Sequence, residues 1–147
     1  MAQAAKPSRH RASIVDPALV ARAEAALDRL SVHFSPWMTE EVSLLTAART
    51  RVQDEGFNPD TGAGLNNQAH EVKGLAATFG FPVVTHIAGS LCKLIEDPDT
   101  RLRAPLFLVD AHIDAIAAAL RADIRDLDHP TSLALIGELQ ARVSETV

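Results

Sequence analysis

Apolar residues along this chain recur at alternating spacings of three and four, which is the pattern of a helix with one buried face. The clearest run surrounds position 70, with apolar positions at Leu65, Ala69, Val72, Ala76 and Phe79. No segment alternates apolar and polar residues with the period of two that a half-buried strand requires. The pattern therefore predicts an all-α protein.

Proline and capping residues divide this pattern into predicted helices. Asp16-Pro17 is typical of a helix start, and Ser35-Pro36 repeats the signal for a second helix that runs to about Asp54. The third helix, with Asp60 or Thr61 as its cap, carries the run around position 70. The later predicted starts are Pro82 for the fourth helix, a point near Pro105 for the fifth, and His129-Pro130 for the last.

The predicted architecture is an antiparallel up-down-up-down four-helix bundle, with its core at about residues 36–125. The third and fourth helices are expected to be antiparallel neighbours because only Gly80, Phe81 and Pro82 connect them. The first and last helices are predicted to be accessory. The core positions predicted outside the third helix are Met38, Val42, Leu45, Ala48, Val52, Val84, Ile87, Ala88, Leu91, Leu94, Ile95, Leu106, Val109, Ile113, Ile116, Leu120, Ile136, Leu139 and Val143.

Composition narrows the class of protein further. Among 147 residues, 47% are hydrophobic and 4% aromatic, and the net charge of −5 argues against a nucleic-acid-binding surface. The lone Cys92 is compatible with a reducing cytoplasm, and we expect it to be a packing residue. No apolar run is long enough to span a membrane, and the N-terminus lacks the apolar stretch of a secretory signal. We expect a cytoplasmic monomer with a disordered basic tail at residues 1–14 and a single domain at 15–147.

His70 lies on the opposite side of the third helix from the apolar stripe. At about 100° per residue, it is roughly 140° from the centre of that stripe and should face solvent. Asn66, Lys73 and Gly74 are its neighbours one turn away, and Ala77 lies one turn further on. Gly74 costs the helix roughly 1 kcal/mol relative to alanine and cannot serve the core. Its missing Cβ would instead let another surface approach the imidazole.

This face has the chemistry of a phosphoacceptor. Neutral imidazole is a competent nucleophile near neutral pH, and a lysine is a point charge that suits a phosphoryl group. The sequence thus predicts that His70 is phosphorylated by a partner that docks over it. Asn66 either orients the imidazole or the phosphate, or is simply solvated. Four other histidines are expected on the surface without a role: His10, His33, His112 and His129. His86, on the outer face of the fourth helix, is expected either to be simply solvated or to lie near the docking surface.

The series His70-x-x-Lys73-Gly74, followed by small residues and Gly80, resembles the core of histidine-containing phosphotransfer (HPt) domains. The stretch from Phe81 to Glu96 is similar to the family's next helix. The resemblance implies a bundle that carries phosphate between receiver-domain aspartates in bacterial two-component phosphorelays.

By this resemblance, Nε2 of His70 is the phosphoacceptor, Lys73 stabilises phosphoryl charge, and Gly74 and Ala77 clear the approach. Gly80 and Phe81 are candidate contact residues, although Phe81 is first of all a candidate core or staple position. The required Mg²⁺ would belong to the receiver partner, so the chain would need no cofactor or metal of its own. It would be a phosphocarrier rather than an independent enzyme.

Other functions compete with this one. A helical docking or scaffold module would never carry phosphate, and an inhibitory module would occupy receivers through the same face. A fragment of a histidine kinase phosphoacceptor domain is less compatible, because Gly74-Leu75 replaces the Thr or Asn and proline expected there. The zinc protease pattern His-Glu-x-x-His is excluded because Gly74 stands where its second histidine is required.

Overall fold

The computed structural model describes residues 16–147, apart from the side chains of residues 27–35. The described residues form helices and contain no strand, which confirms the predicted all-α class. The α-helices are α1 (Pro17–Glu55), α2 (Pro59–Phe79), α3 (Pro82–Ile95), α4 (Leu106–Arg121) and α5 (Pro130–Thr146), with a 3₁₀ helix at Arg101–Arg103. The predicted tail at residues 1–14, His10 and the side chain of His33 lie outside the described residues.

The chain divides into two compact units, residues 1–34 and 35–147. In the first unit, the Ala18 N–H donates a hydrogen bond of 2.9 Å to Asp16 Oδ1, so Asp16 caps the start of α1 as predicted. Leu19, two residues into that helix, is exposed. The second unit contains the hydrophobic core and the residues predicted to form the functional site. That residues 15–147 form one domain stays a prediction.

The predicted helix break at Ser35-Pro36 is wrong. Helix α1 continues from Pro17 to Glu55 with Pro36 in its interior. A proline has the same φ at the first turn of a helix as in its interior, so the local signal does not distinguish the two positions. The penalty of an interior proline is a lost hydrogen bond and crowding against the preceding turn. The predicted second helix is therefore the later part of α1, which turns Met38, Val42 and Leu45 into the core.

The core of the second unit forms where the apolar stripes of its helices meet, and nearly all predicted core positions contribute to it. Leu106 is a clear exception, because it is 43% exposed while Leu108 is buried in its place. Leu106 is the first residue of α4 and points to solvent there. Ala48, Phe79 and Leu120 are partly buried against the core.

Helix α2 is fixed at both ends by specific backbone signals. Its N-cap is Asn58 rather than the predicted Asp60 or Thr61. The Asn58 side chain accepts hydrogen bonds of 3.0 Å from the N–H groups of Asp60 and Thr61. Thr61 Oγ1 accepts one of 3.1 Å from the Asn58 N–H, which completes a capping box. Gly80 ends the helix at φ 81°, in the left-handed region that favours glycine.

Helices α4 and α5 both pack against α3. The last helix buries Ile136, Leu139 and Val143, as predicted from its spacing. Its position along α3 is a result of the tertiary structure, because the sequence shows only that it has an apolar side.

His112 is fully buried, so the prediction that it lies on the surface is wrong. Its Nδ1 lies 2.7 Å from the carbonyl oxygen of Leu108, and its Nε2 lies 2.9 Å from Ser90 Oγ. Because a carbonyl only accepts, Nδ1 carries the proton and Nε2 accepts from the Ser90 hydroxyl. Burial lowers the pKa of His112, opposed by the hydrogen bond to Leu108. The pair links α3 to α4 through the core.

Candidate functional site

His70 stands on the open face of α2. The opposite face of this helix buries Leu65, Ala69, Val72 and Ala76 completely, while the His70 side chain is 45% exposed. The predicted separation between the buried stripe and the exposed face that carries His70 is therefore present. The N-cap at Asn58 and the C-cap at Gly80 fix where the helix begins and ends. They therefore also fix the position of His70 along it.

Lys73 lies one turn after His70 and is exposed. Its aliphatic end rests over Gly89 of α3, because a Cβ added to Gly89 would be 3.7 Å from Lys73 Cε. Gly89 was not among the predicted site residues, although a glycine inside a helix was a signal that could have been used. Its missing side chain lets the lysine stem lie close to the α3 backbone.

Gly74 faces open space. A Cβ added there would meet no described neighbour within 4 Å, and Ala77 one turn later is exposed as well. No contact within the described part of the chain explains a glycine at this position. The side of His70 towards Gly74 and Ala77 is thus a low, accessible surface.

Glu96 is the acidic neighbour of His70 that the sequence interpretation missed. Its Oε1 lies 4.0 Å from His70 Nε2, and Glu96 itself is the C-cap of α3. Two antiparallel helices joined by a tight turn place residues at equal distances from the turn side by side. By that rule, His70 faces the region of Leu91, and Glu96 lies about one turn further along. A long side chain bridges that offset, which the sequence did not show.

Arg101 holds the end of α3 where Glu96 is located. Its buried guanidinium donates hydrogen bonds to two backbone carbonyls, at 2.6 Å to Ile95 and at 3.2 Å to Glu96. Carbonyls in the last turn of a helix have no partner within the helix, so these bonds stabilise its terminus. Arg101 therefore helps to position the residue that faces His70.

The remaining predicted contact residues have different surroundings. Asn66 is partly buried, and its Oδ1 has no hydrogen-bond partner among the described residues. Gly80 is exposed and serves as the left-handed end of α2. Phe81 is 1% exposed, with the Arg125 guanidinium 3.9 Å above its ring, so its side chain lies in the core and offers no docking surface. His86 is exposed on α3, as predicted.

Comparison with known proteins adds an independent line of information. The Hpt domain family matches residues 17–129, which is most of the chain. The chain belongs to the Hpt domain family. Searches of curated proteins and of solved structures gave no match. The resemblance seen around His70 is thereby confirmed at the level of the family.

Membership in the Hpt family indicates a phosphotransfer role in a phosphorelay and interaction with receiver domains. Modules of this family are phosphocarriers. Within residues 16–147, no helix is both long and apolar enough to cross a membrane. Among the described side chains, no group of three or more His, Cys, Asp or Glu is placed to hold a metal ion.

Proposed function

We propose that this chain accepts a phosphoryl group from a receiver-domain aspartate onto His70 and passes it to a second receiver. The observation that carries the proposal is the exposed imidazole of His70 beside the open surface at Gly74, in a chain that belongs to the Hpt family. The partner's phosphorylated aspartate must come within bonding distance of the ring. A surface without a side chain at Gly74 permits that approach.

The transfer is a direct exchange of one bond to phosphorus for another. The Nε2 lone pair of His70 forms the N–P bond while the P–O bond to the aspartate breaks, and the electron pair returns to the carboxylate. The reverse exchange passes the group to the next receiver. Little covalent chemistry is required of the protein beyond position and charge.

Lys73 is the charge-stabilising group in this proposal. Lys73 is one helical turn from His70, and its ammonium would face the equatorial oxygens of the transferred group. Among the described residues it forms no salt bridge, so no carboxylate there is within ion-pairing distance of its ammonium. The Mg²⁺ of the reaction would be held by the receiver, and the chain would act as a bacterial cytoplasmic monomer without a cofactor.

The test mixes purified protein with a panel of receiver domains phosphorylated on aspartate and follows the label. We expect label on this chain that is labile in acid and stable in alkali. His70→Gln should abolish it, while His86→Gln should not. His86 is a matched control because it is also an exposed histidine in the middle of a helix.

Binding of receivers without label on His70 would contradict the proposal and favour a docking or inhibitory module. Label that persists in His70→Gln would show that another residue is the acceptor. Lys73→Gln should slow transfer without weakening receiver binding by the same factor, because its charge acts mainly on the transition state.

A further inference from the structure

A cleft lies beside the His70 face, between α3 and α5. Its volume is about 520 Å³, within the range of small-molecule sites. Lys73 stands at one side, His86 and Lys93 of α3 form a wall, and Gln140 and Ser144 of α5 lie opposite. We call this space the lysine cleft. It exists because the last helix packs along α3.

The lysine cleft concentrates positive charge in an acidic protein. The lysines of the chain are Lys6, Lys73 and Lys93, and both of those in the described part line the cleft. No aspartate or glutamate is among its described lining residues. The chain as a whole carries a net charge of −5, so the positive charge of the cleft is opposite in sign to the net charge of the protein.

Neither lysine is paired with a carboxylate among the described side chains, whereas several arginines are. Arg49, Arg51, Arg125 and Arg142 each form a salt bridge with an Asp or Glu. The two lysines thus remain available to an external anion. A lysine ammonium binds phosphate as a point charge with freely rotating donors, and the polar side chains of Gln140 and Ser144 can add hydrogen bonds.

We propose that the lysine cleft binds a small phosphorylated anion, either inorganic phosphate or a phosphate monoester, and that the bound anion slows transfer to His70. The second part rests on the proposed function, because Lys73 serves both sites. An anion that engages the Lys73 ammonium withdraws its charge from the phosphoryl group on His70. Linkage applies to equilibria, so any effect of the bound anion on the equilibrium phosphorylation of His70 is matched by an equal effect of phosphorylation on anion binding.

Binding is tested on the unphosphorylated full chain by two-dimensional NMR. Inorganic phosphate and adenosine monophosphate are the probes, each titrated at constant ionic strength against chloride. We expect saturable shifts of the Gly89, Lys93 and Gln140 amides. Lys93→Gln should weaken binding at least fivefold, and Arg121→Gln should leave it unchanged.

Arg121 is the matched control because it is an exposed cation outside the cleft lining. Thermal unfolding of each variant confirms that it is folded. Linear, non-saturating shifts, or equal affinity in Lys93→Gln, would overturn the site. The two probes distinguish a site for phosphate itself from one that also recognises the attached group.

The coupling is tested by measuring the rate of label transfer from a receiver over a series of probe concentrations. We expect the probe to slow the unsubstituted chain several-fold, and Lys93→Gln to need at least fivefold more probe for the same slowing. Equal slowing of both at every concentration would trace the effect to the receiver or its Mg²⁺ and overturn the coupling.

The two experiments also separate this proposal from the proposed function. Saturable binding without any label on His70 would retain the site and remove the relay role. Label transfer without saturable binding would retain the relay role and remove the site.

Discussion

His70 Nε2 and Glu96 Oε1 lie 4.0 Å apart, across the gap between α2 and the end of α3. The distance is too long for a hydrogen bond but short enough for one charge to act on another. A phosphoryl group on Nε2 would place additional negative charge near this carboxylate. Glu96 should therefore destabilise phosphorylated His70 and favour transfer of the phosphoryl group to a receiver.

Replacing Glu96 by Gln should raise the fraction of phosphorylated His70 at equilibrium with a receiver. Both side chains are about half exposed, so solvent screens the interaction and we expect an increase of roughly twofold to fivefold. The measurement is the ratio of label on the two proteins after equilibration. Glu71→Gln, which removes an exposed carboxylate next to His70 in sequence, is the control and should have a smaller effect. An unchanged or lower fraction in Glu96→Gln would contradict the argument.

Gly74→Ala should have opposite effects on stability and on phosphoryl transfer. A methyl group at this position meets no described neighbour, so the gain in helix propensity should stabilise the protein by about 0.5–1 kcal/mol. Transfer to His70 should slow, because the methyl group occupies the approach of the receiver. Urea unfolding and the transfer rate measure the two effects.

Gly137→Ala is the matched control for this substitution. Gly137 is an exposed glycine inside α5, and an added Cβ there also meets no described neighbour within 4 Å. It should give a similar gain in stability and no change in transfer. Full transfer activity in Gly74→Ala would show that the open surface is not needed.

Buried His112 should make the fold less stable in acid. Its pKa is lowered in the folded state, so the unfolded chain binds the proton first as the pH falls. The contribution of neutral His112 is fully present above the unfolded value of about 6.5 and is lost as the pH falls below it. The free energy of unfolding should therefore decrease between pH 7.5 and pH 5.5.

NMR titration of the imidazole provides the direct test and does not depend on a variant that folds. The His112 ring should remain neutral at pH values just below the usual histidine pKa of about 6.5, because burial lowers its pKa. Protonation of His112 at or above the usual value would contradict its burial.

Cys92 should be unreactive in the native protein. The thiol is buried on α3, and burial raises its pKa to about 11, with the Lys73 charge opposing part of the shift. Since the thiolate is the reactive form, alkylation by iodoacetamide at pH 8 should be slow. In urea the rate should rise to that of an ordinary thiol. Rapid alkylation of the native chain would show that this part of α3 opens readily.

Local periodicity determined a large part of this protein. The stripe Leu65, Ala69, Val72 and Ala76 was visible because helical residues three and four apart share a face, and the same geometry placed His70 on the other side. The helical class and the Hpt family followed from such short-range relationships, and both are confirmed. The particular roles of His70, Lys73 and Gly74 remain predictions.

Only the tertiary structure decided which residues from different helices meet. Leu106 was misplaced because it is the first residue of α4, and His112 because the packing of α3 against α4 buries it beside Ser90. Glu96 approaches His70 through an offset between two helices. The lysine cleft requires α5 to lie along α3. The sequence contains the side chains for these contacts, but their distances depend on how whole helices pack, which no local pattern encodes.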